Sequence, residues 1–185
     1  MFDIDQFIAD CREAVAADPS HKLVREVVER AVAEPAVVLD YFEPLASGVH
    51  RLYRSNELTI LNVVWPPLFT IMPHDHRMWA VIGMYSGAED NVYWRRSGEP
   101  GQSRVEAAGA RALRTGDVET LGRDIVHSVT NPIQRLTGAI HVYGGDFYAG
   151  GRSEWDPQTL TERPYDFEEH ARMFAEANAR FAVAA

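Results

Sequence analysis

The feature that most constrains the fold is a run of short apolar segments between residues 48 and about 157, with no helical pattern between them. The segments are rich in valine, isoleucine, tyrosine and tryptophan, which are typical of β-strands. Turn-forming pairs such as Ser86-Gly87 and Asn131-Pro132 separate them. Many short strands without intervening helices favour a sandwich or a barrel, so this region predicts an all-β core.

Helical patterns lie on both sides of the predicted core. Residues 1–45 indicate helices, because Asp3 begins a capping-box pattern and Asp18 is an expected N-cap followed by Pro19 as first helical residue. A C-terminal helix is expected to begin at Pro164 and to end near residue 183. We expect these helices to pack outside one β domain, since 185 residues suit a single domain.

Composition argues against several classes of function. The formal net charge of -9 argues against nucleic acid as a partner, because such binding needs a basic surface. Cys11 is the single cysteine, which excludes an internal disulfide and a cysteine metal cluster. No segment has the apolar length of a membrane span, and the acidic start MFDIDQFIAD has no basic region of a signal peptide. We therefore expect a cytoplasmic protein without a membrane partner.

Two histidines stand one residue apart in the stretch PHDHRMWAVIGMYSG. Strand geometry places His74 and His76 on one face and Asp75 on the other. Two imidazoles on one face can hold a metal ion. However, an H-x-H pair is a permissive motif, and a histidine is often only a polar surface residue. The pair alone leaves metal binding open.

A second stretch, GDVETLGRDIVHSVTN, strengthens the metal interpretation because it resembles the second motif of the cupins. Cupins carry G-x5-H-x-H-x3,4-E-x6-G and then G-x5-P-x-G-x2-H-x3-N. Six positions match these motifs: His74, His76, Gly87, Gly116, His127 and Asn131. Ala80 occupies the glutamate position. The resemblance implies a double-stranded β-helix, or jelly-roll, barrel and a metal site made of three histidines.

A third stretch, AIHVYGGDFYAGGR, extends the resemblance to the cysteine dioxygenase-like thiol dioxygenases. The likeness is closest to the bacterial 3-mercaptopropionate dioxygenase type and covers roughly residues 62–157. It includes Tyr143 and, nine residues later, Arg152. Relatives have serine where this chain has Ala139, so the implied hydrogen-bonded relay runs only from His141 to Tyr143.

The resemblance implies an iron-dependent dioxygenase. Such an enzyme converts a small mercapto-carboxylic acid, of the cysteine or 3-mercaptopropionate class, to its sulfinate with O2. The three motif histidines would hold iron(II), although imidazole ligands also accept zinc, copper or nickel. Arg152 would pair with the substrate carboxylate, Tyr143 would hydrogen-bond to oxygen or to the substrate headgroup, and His141 would orient Tyr143.

Other interpretations stay open at this point. His141 could be a core histidine bonded to backbone, Tyr143 a core residue whose hydroxyl reaches solvent, and Arg152 a surface arginine. Ala139 favours a metal-binding cupin of other or no catalytic activity. The sequence leaves open the thiol, the native metal and the oligomeric state, and exposed β edges are compatible with a homodimer. Three histidines outside the motifs are expected to be structural or surface residues: His21, His50 and His170.

Overall fold

A computed structural model describes residues 1–42, 46–99 and 101–184. The helices in these ranges are α1 (Ile4–Ala17), α2 (Lys22–Val32), α3 (Pro35–Phe42) and α4 (Phe167–Ala184). The strands are β1 (Gly48–Arg54), β2 (Thr59–Trp65), β3 (Thr70–Asp75), β4 (Ala80–Ser86), β5 (Ala88–Ser97), β6 (Arg104–Arg114), β7 (Val118–Leu121), β8 (Val126–Thr130), β9 (Thr137–Tyr143), β10 (Ser153–Trp155) and β11 (Glu162–Pro164).

The strands form two antiparallel sheets. The first sheet has the order β1-β2-β9-β4-β7, and the second has the order β11-β10-β3-β8-β5-β6. From β2 to β10 most successive strands lie in opposite sheets, so the chain passes back and forth between them. This is the double-stranded β-helix of the cupin type, and it confirms the predicted all-β jelly-roll core with helices at both ends of the chain.

The first sheet is covered on both faces. All seven residues of β2 and all seven of β9 are buried. Val81 and Ile140 pack with the N-terminal helices on one face, whereas Ile82 and Ala139 belong to the cluster between the sheets. Burial on both faces explains why these strands are almost continuously apolar in sequence.

Of the two predicted N-caps in the N-terminal region, one is confirmed. Asp3 caps α1, because its carboxylate accepts a backbone N–H of the first turn at 3.0 Å. The prediction that Asp18 caps a helix starting at Pro19 is wrong, since α2 begins at Lys22. Asp18 instead accepts the backbone N–H and the hydroxyl of Ser20, both at 2.8 Å, and so closes a local turn.

The C-terminal helix begins later than predicted. Pro164 ends β11, and α4 starts at Phe167 because the Asp166 carboxylate accepts two backbone N–H groups of the first turn at 2.9 Å each. The strands therefore continue past the predicted end near residue 157. The last three residues of the predicted helical region 1–45 lie outside the described residues.

The C-terminal helix packs on the barrel through aromatic contacts. The ring of Phe174 on α4 lies 5.7 Å from Trp65 and 4.8 Å from Phe69, measured between ring centroids. Phe174 and Ala177 are the buried apolar residues through which this helix packs on the barrel. Among the described helices, none combines the length and the apolar character needed to cross a membrane.

The contact between β4 and α2 can be tested at Gly83. A Cβ atom at this position would clash with Val28 and would lie 3.0 Å from Val32 on α2. We expect Gly83→Ala to lower the free energy of unfolding by about 1–3 kcal/mol in urea denaturation, because the added methyl group would overpack the contact with α2. Gly109→Ala is the matched control, since its Cβ would meet only Tyr93 at 3.9 Å. Equal losses in both variants would contradict the assigned packing.

Candidate metal centre

The three histidines of the motifs converge at the end of two paired strands. His74 lies on β3, His76 follows that strand directly, and His127 on β8 is the register partner of His74. The Nε2 atom of His76 is 3.2 Å from Nε2 of His74 and 3.3 Å from Nε2 of His127. All three side chains are buried, and their ligand atoms lie within 4.8 Å of one another. The cluster can therefore hold a single metal ion.

Hydrogen bonds behind the rings set the tautomers of two imidazoles. Nδ1 of His74 lies 3.0 Å from the carbonyl oxygen of Met72. Nδ1 of His127 lies 2.7 Å from Oδ1 of Asn91. Because both oxygens only accept, Nδ1 carries the proton in each ring and Nε2 keeps a lone pair. Both lone pairs belong to the atoms that face the centre of the cluster.

A buried carboxylate orients the asparagine behind His127. Nδ2 of Asn91 donates to Glu89 at 2.9 Å, and the indole N–H of Trp65 donates to the other carboxylate oxygen at 2.8 Å. Burial raises the pKa of the fully buried Glu89, and these two hydrogen bonds oppose that rise. The chain from Glu89 through Asn91 to His127 is the kind of outer support that holds a metal ligand in place.

Burial keeps the three imidazoles neutral. It lowers the pKa of His127 to about 3. Burial, and after it the neighbouring imidazoles, lowers the pKa of His74 and His76 well below the usual value. Neutral imidazole is the form that binds metal, and a cation between the inward lone pairs removes their mutual repulsion. The donor set fits a divalent ion such as iron, zinc, copper or nickel.

Strand β9 brings Tyr143 and His141 to the inner face of the barrel, next to the histidine cluster. The ring of Tyr143 lies 5.0 Å from that of His76, between centroids. Nδ1 of His141 is 3.0 Å from the Tyr143 hydroxyl, so His141 bonds to this tyrosine, and the hydroxyl faces the ring instead of solvent. Burial lowers the pKa of His141 to about 3 and raises the pKa of Tyr143.

The two alanines at motif positions both lie inside the barrel. Ala80, at the glutamate position, is buried opposite Tyr143 on the neighbouring strand and offers only a methyl group. Ala139 precedes His141 by two residues on the same strand face. Nε2 of His141 is buried and has no hydrogen-bond partner in the described part of the chain. The hydrogen-bonded pair of His141 and Tyr143 therefore has no third member among the described residues.

Arg152 is buried and is not the surface arginine that one interpretation allowed. Only 5% of the residue is exposed. Its guanidinium carbon lies 4.1 Å from the ring centroids of Phe147 and Tyr165 and 4.7 Å from that of Phe167. Within residues 1–42, 46–99 and 101–184, no acceptor bonds to its Nε, Nη1 or Nη2. A buried guanidinium without an acceptor is costly, so this position favours an anionic ligand.

Two spaces adjoin these groups. A cavity of about 40 Å³ is lined by the three clustered histidines, by His141 and by Tyr143. A wider pocket of about 370 Å³ is lined by Arg152 and the glycine-rich turn before it, and Tyr165 lines both spaces. Two larger surface depressions, of about 430 and 530 Å³, lie beside α1 and α4, and neither is lined by a histidine. The histidine cluster and the buried guanidinium therefore lie at the cavity and the arginine pocket.

Sequence reasoning missed several residues that surround these spaces. His170, expected to be structural or at the surface, is buried and contacts Glu154 and Tyr165 at 2.8 Å each. These residues follow the last motif and have no spacing that relates them to it. Asn91 carried a weak signal, because Glu89 and Asn91 are polar residues two apart in a strand and so share one face.

No protein-family model matches the chain. Solved structures that resemble its fold include an RmlC-like cupin family protein with a double-stranded β-helix fold from Methanocaldococcus jannaschii. That protein is 10% identical, with 57% of this chain and 86% of that chain covered and a TM-score of 0.46. An uncharacterized protein with a double-stranded β-helix domain from Klebsiella pneumoniae is 18% identical, with 63% and 87% covered and a TM-score of 0.45.

A third similar structure is the DMSP lyase DddQ from Ruegeria pomeroyi. It is 18% identical, with a TM-score of 0.44, and the match covers 60% of this chain and 52% of the lyase. At such identities these likenesses concern the fold and not the activity.

The histidine assignment predicts a selective loss of metal. His127→Ala removes one of three convergent donors and should lose most of the iron(II) that the wild-type protein retains after anaerobic loading and desalting. Tyr143→Phe should retain it, because the tyrosine hydroxyl bonds to His141. His21→Ala is the control for a histidine outside the cluster. Metal analysis of the purified variants decides, and equal loss in His127→Ala and Tyr143→Phe would refute the assignment.

Proposed function

We propose that the protein is an enzyme, a non-haem iron(II) thiol dioxygenase that converts a small mercapto-carboxylic acid to its sulfinate. One observation carries the proposal. A neutral three-histidine cluster, a buried Tyr143–His141 pair and a buried Arg152 without an acceptor in the described residues lie around two adjoining spaces. The sequence resemblance to cysteine dioxygenase-like enzymes supports the same reaction.

Iron(II) fits the donor set, and His74, His76 and His127 would hold it. When bound, the iron would supply the redox chemistry with dioxygen and a positive charge that favours the thiolate over the thiol. In the overall reaction, R–SH and O2 give R–SO2H. The sulfur gains both oxygen atoms and supplies all the electrons, so no external reductant is required.

Arg152 would bind the substrate carboxylate. Aromatic rings surround its guanidinium at 4.1–4.7 Å, and its N–H groups bond to no acceptor among the described residues. A carboxylate accepts two such N–H groups in one plane, so the fork of arginine suits it better than a lysine would. Binding by this contact would place the thiol end of a short mercapto acid toward the histidine cluster.

Tyr143 would donate a hydrogen bond to the substrate or to the reacting oxygen. Burial raises its pKa, so the hydroxyl keeps its proton. The neutral His141 can donate its Nδ1 proton to the Tyr143 oxygen, which leaves the tyrosine proton free to point into the cavity. His141 would thus orient Tyr143 without touching the substrate.

A second candidate is a metal-binding cupin of other or no catalytic activity. Ala139 favours it, because His141 Nε2 lacks a hydrogen-bond partner among the described residues. The cavity of about 40 Å³ also has room for only a few water-sized molecules.

A cytoplasmic location, the lack of nucleic-acid and membrane partners, and a homodimer remain predictions.

The role of Arg152 can be tested by comparing thiols with and without a carboxylate. Arg152→Ala should cost roughly 2–5 kcal/mol in kcat/KM for 3-mercaptopropionate and cysteine, the range for a broken buried charge pair. The loss for cysteamine, which has no carboxylate, should be much smaller. Oxygen uptake gives the rates, and mass spectrometry with labelled O2 identifies the sulfinate.

Arg95→Ala is the matched control, because its side chain is 69% exposed and pairs only with Glu106 among the described residues. An equal fall for all three thiols in Arg152→Ala would make Arg152 structural. If no thiol supports oxygen uptake by iron-loaded wild-type protein, the second candidate replaces the dioxygenase.

Ala139→Ser should change turnover and leave substrate preference alone. The new hydroxyl would stand two residues from His141 on the same strand face and offer its Nε2 a partner. We expect kcat to change while the ratio of kcat/KM for 3-mercaptopropionate and cysteine stays within about twofold, since the serine touches no substrate. Ala110→Ser on the exposed part of β6 is the control. A changed preference would place residue 139 in contact with substrate.

A further inference from the structure

We propose that His170 and Glu154 are positioning residues for Arg152 and that they act through Tyr165. The proposal rests on the substrate-binding role proposed above for Arg152. It assigns a function to a buried hydrogen-bonded chain that crosses from the barrel to the C-terminal helix. None of these three residues belongs to the motifs that identified the histidine cluster.

The chain begins at a fully buried carboxylate beside the histidine cluster. Glu154 on β10 is the register partner of His74 on β3, so both side chains project toward the same side of the sheet. One carboxylate oxygen of Glu154 lies 2.7 Å from Nε of Arg163, and the other lies 2.8 Å from Nε2 of His170. The ion pair with Arg163 keeps this carboxylate in place.

Two hydrogen bonds of His170 join the ends of the chain. A carboxylate only accepts, so Nε2 of His170 donates to Glu154. Nδ1 of His170 lies 2.8 Å from the Tyr165 hydroxyl. This second hydrogen bond holds the ring of Tyr165 at its polar end.

Tyr165 is the one ring around the Arg152 guanidinium that a hydrogen bond can orient, because the other two rings are phenylalanines. Its centroid lies 4.1 Å from the guanidinium carbon and 4.8 Å from the ring of Phe167. It also lines both the histidine cavity and the arginine pocket. The tilt of this ring therefore decides where the N–H edge of Arg152 points and how the two spaces connect.

A purely structural role for His170 would tie α4 to the barrel and would not act through the Tyr165 hydroxyl. A double-mutant cycle separates the two roles, because residues that act through one contact give non-additive effects. Tyr165→Phe keeps the ring over Arg152 and removes the hydroxyl. His170→Phe keeps a ring of similar size and removes both hydrogen bonds.

The experiment measures binding of 3-mercaptopropionate to iron(II)-loaded protein without oxygen by calorimetry, with melting temperatures recorded for each variant. We expect Tyr165→Phe and His170→Phe each to weaken binding about tenfold, and the double variant to be no weaker than either single one. Cysteamine binding should not change. Tyr41→Phe and His21→Phe are the matched controls outside the chain. If His170→Phe does not fold, His170→Gln takes its place in the cycle.

Unchanged affinity in the single variants, or losses that add in the double variant, would overturn the positioning role. Lack of binding by the wild-type protein would overturn both this role and the carboxylate-binding role of Arg152. Binding that follows the expected pattern, together with no oxygen uptake after iron loading, would support the positioning role and overturn only the dioxygenase reaction.

Discussion

The pairing of β3 with β8 is the constraint on which the candidate site depends. In this antiparallel ladder Thr70 lies opposite Thr130, with their hydroxyl oxygens 3.0 Å apart. The register shifts between Ile71 and His74, and this shift brings His74 opposite His127. A slip of one residue would turn the side chains of one strand to the other face of the sheet. The histidine cluster and the strand register are therefore one structural requirement, since both depend on the same backbone hydrogen bonds.

The aspartate between the two histidines supports this register from the opposite face. Asp75 is fully buried, forms ion pairs with Arg77 and Arg96 at 2.7 Å each, and accepts the backbone N–H of Ser153 at 2.9 Å. Burial raises its pKa, and these contacts oppose the rise. Arg77 has a φ of 57°, in the left-handed region, so the ion pair holds a sharp turn immediately after His76. Because side chains alternate along a strand, the two histidines of H-D-H point into the barrel, where they can bind a metal. The aspartate between them points outward to the arginines.

Sequence patterns predicted the residues whose spacing follows from strand pairing, and they failed where a contact between distant elements decides. His74 and His127 belong to recognisable sequence motifs because each lies a fixed number of residues from a turn of the barrel. Asp18 offers its carboxylate either to a helix or to a turn, and local sequence does not distinguish the two. His170 lies near the site because α4 is beside β10, where the side chain of His170 bonds to Glu154. No periodic pattern of hydrophobic residues predicts the contact between His170 and Glu154, so no sequence motif indicates it.

The charges around the cavity favour an anionic ligand. With a divalent ion at the histidines, the ion and Arg152 together bring three positive charges to a region with little access to water. The imidazoles are neutral, and Glu89 stands behind His127, two hydrogen bonds from the cavity. Glu154 is already paired with Arg163. A ligand with both a thiolate and a carboxylate carries two negative charges and would offset most of this positive charge. Because desolvated charges must be balanced nearby, the mercapto acid that we propose as substrate would balance these charges better than a neutral thiol or cysteamine.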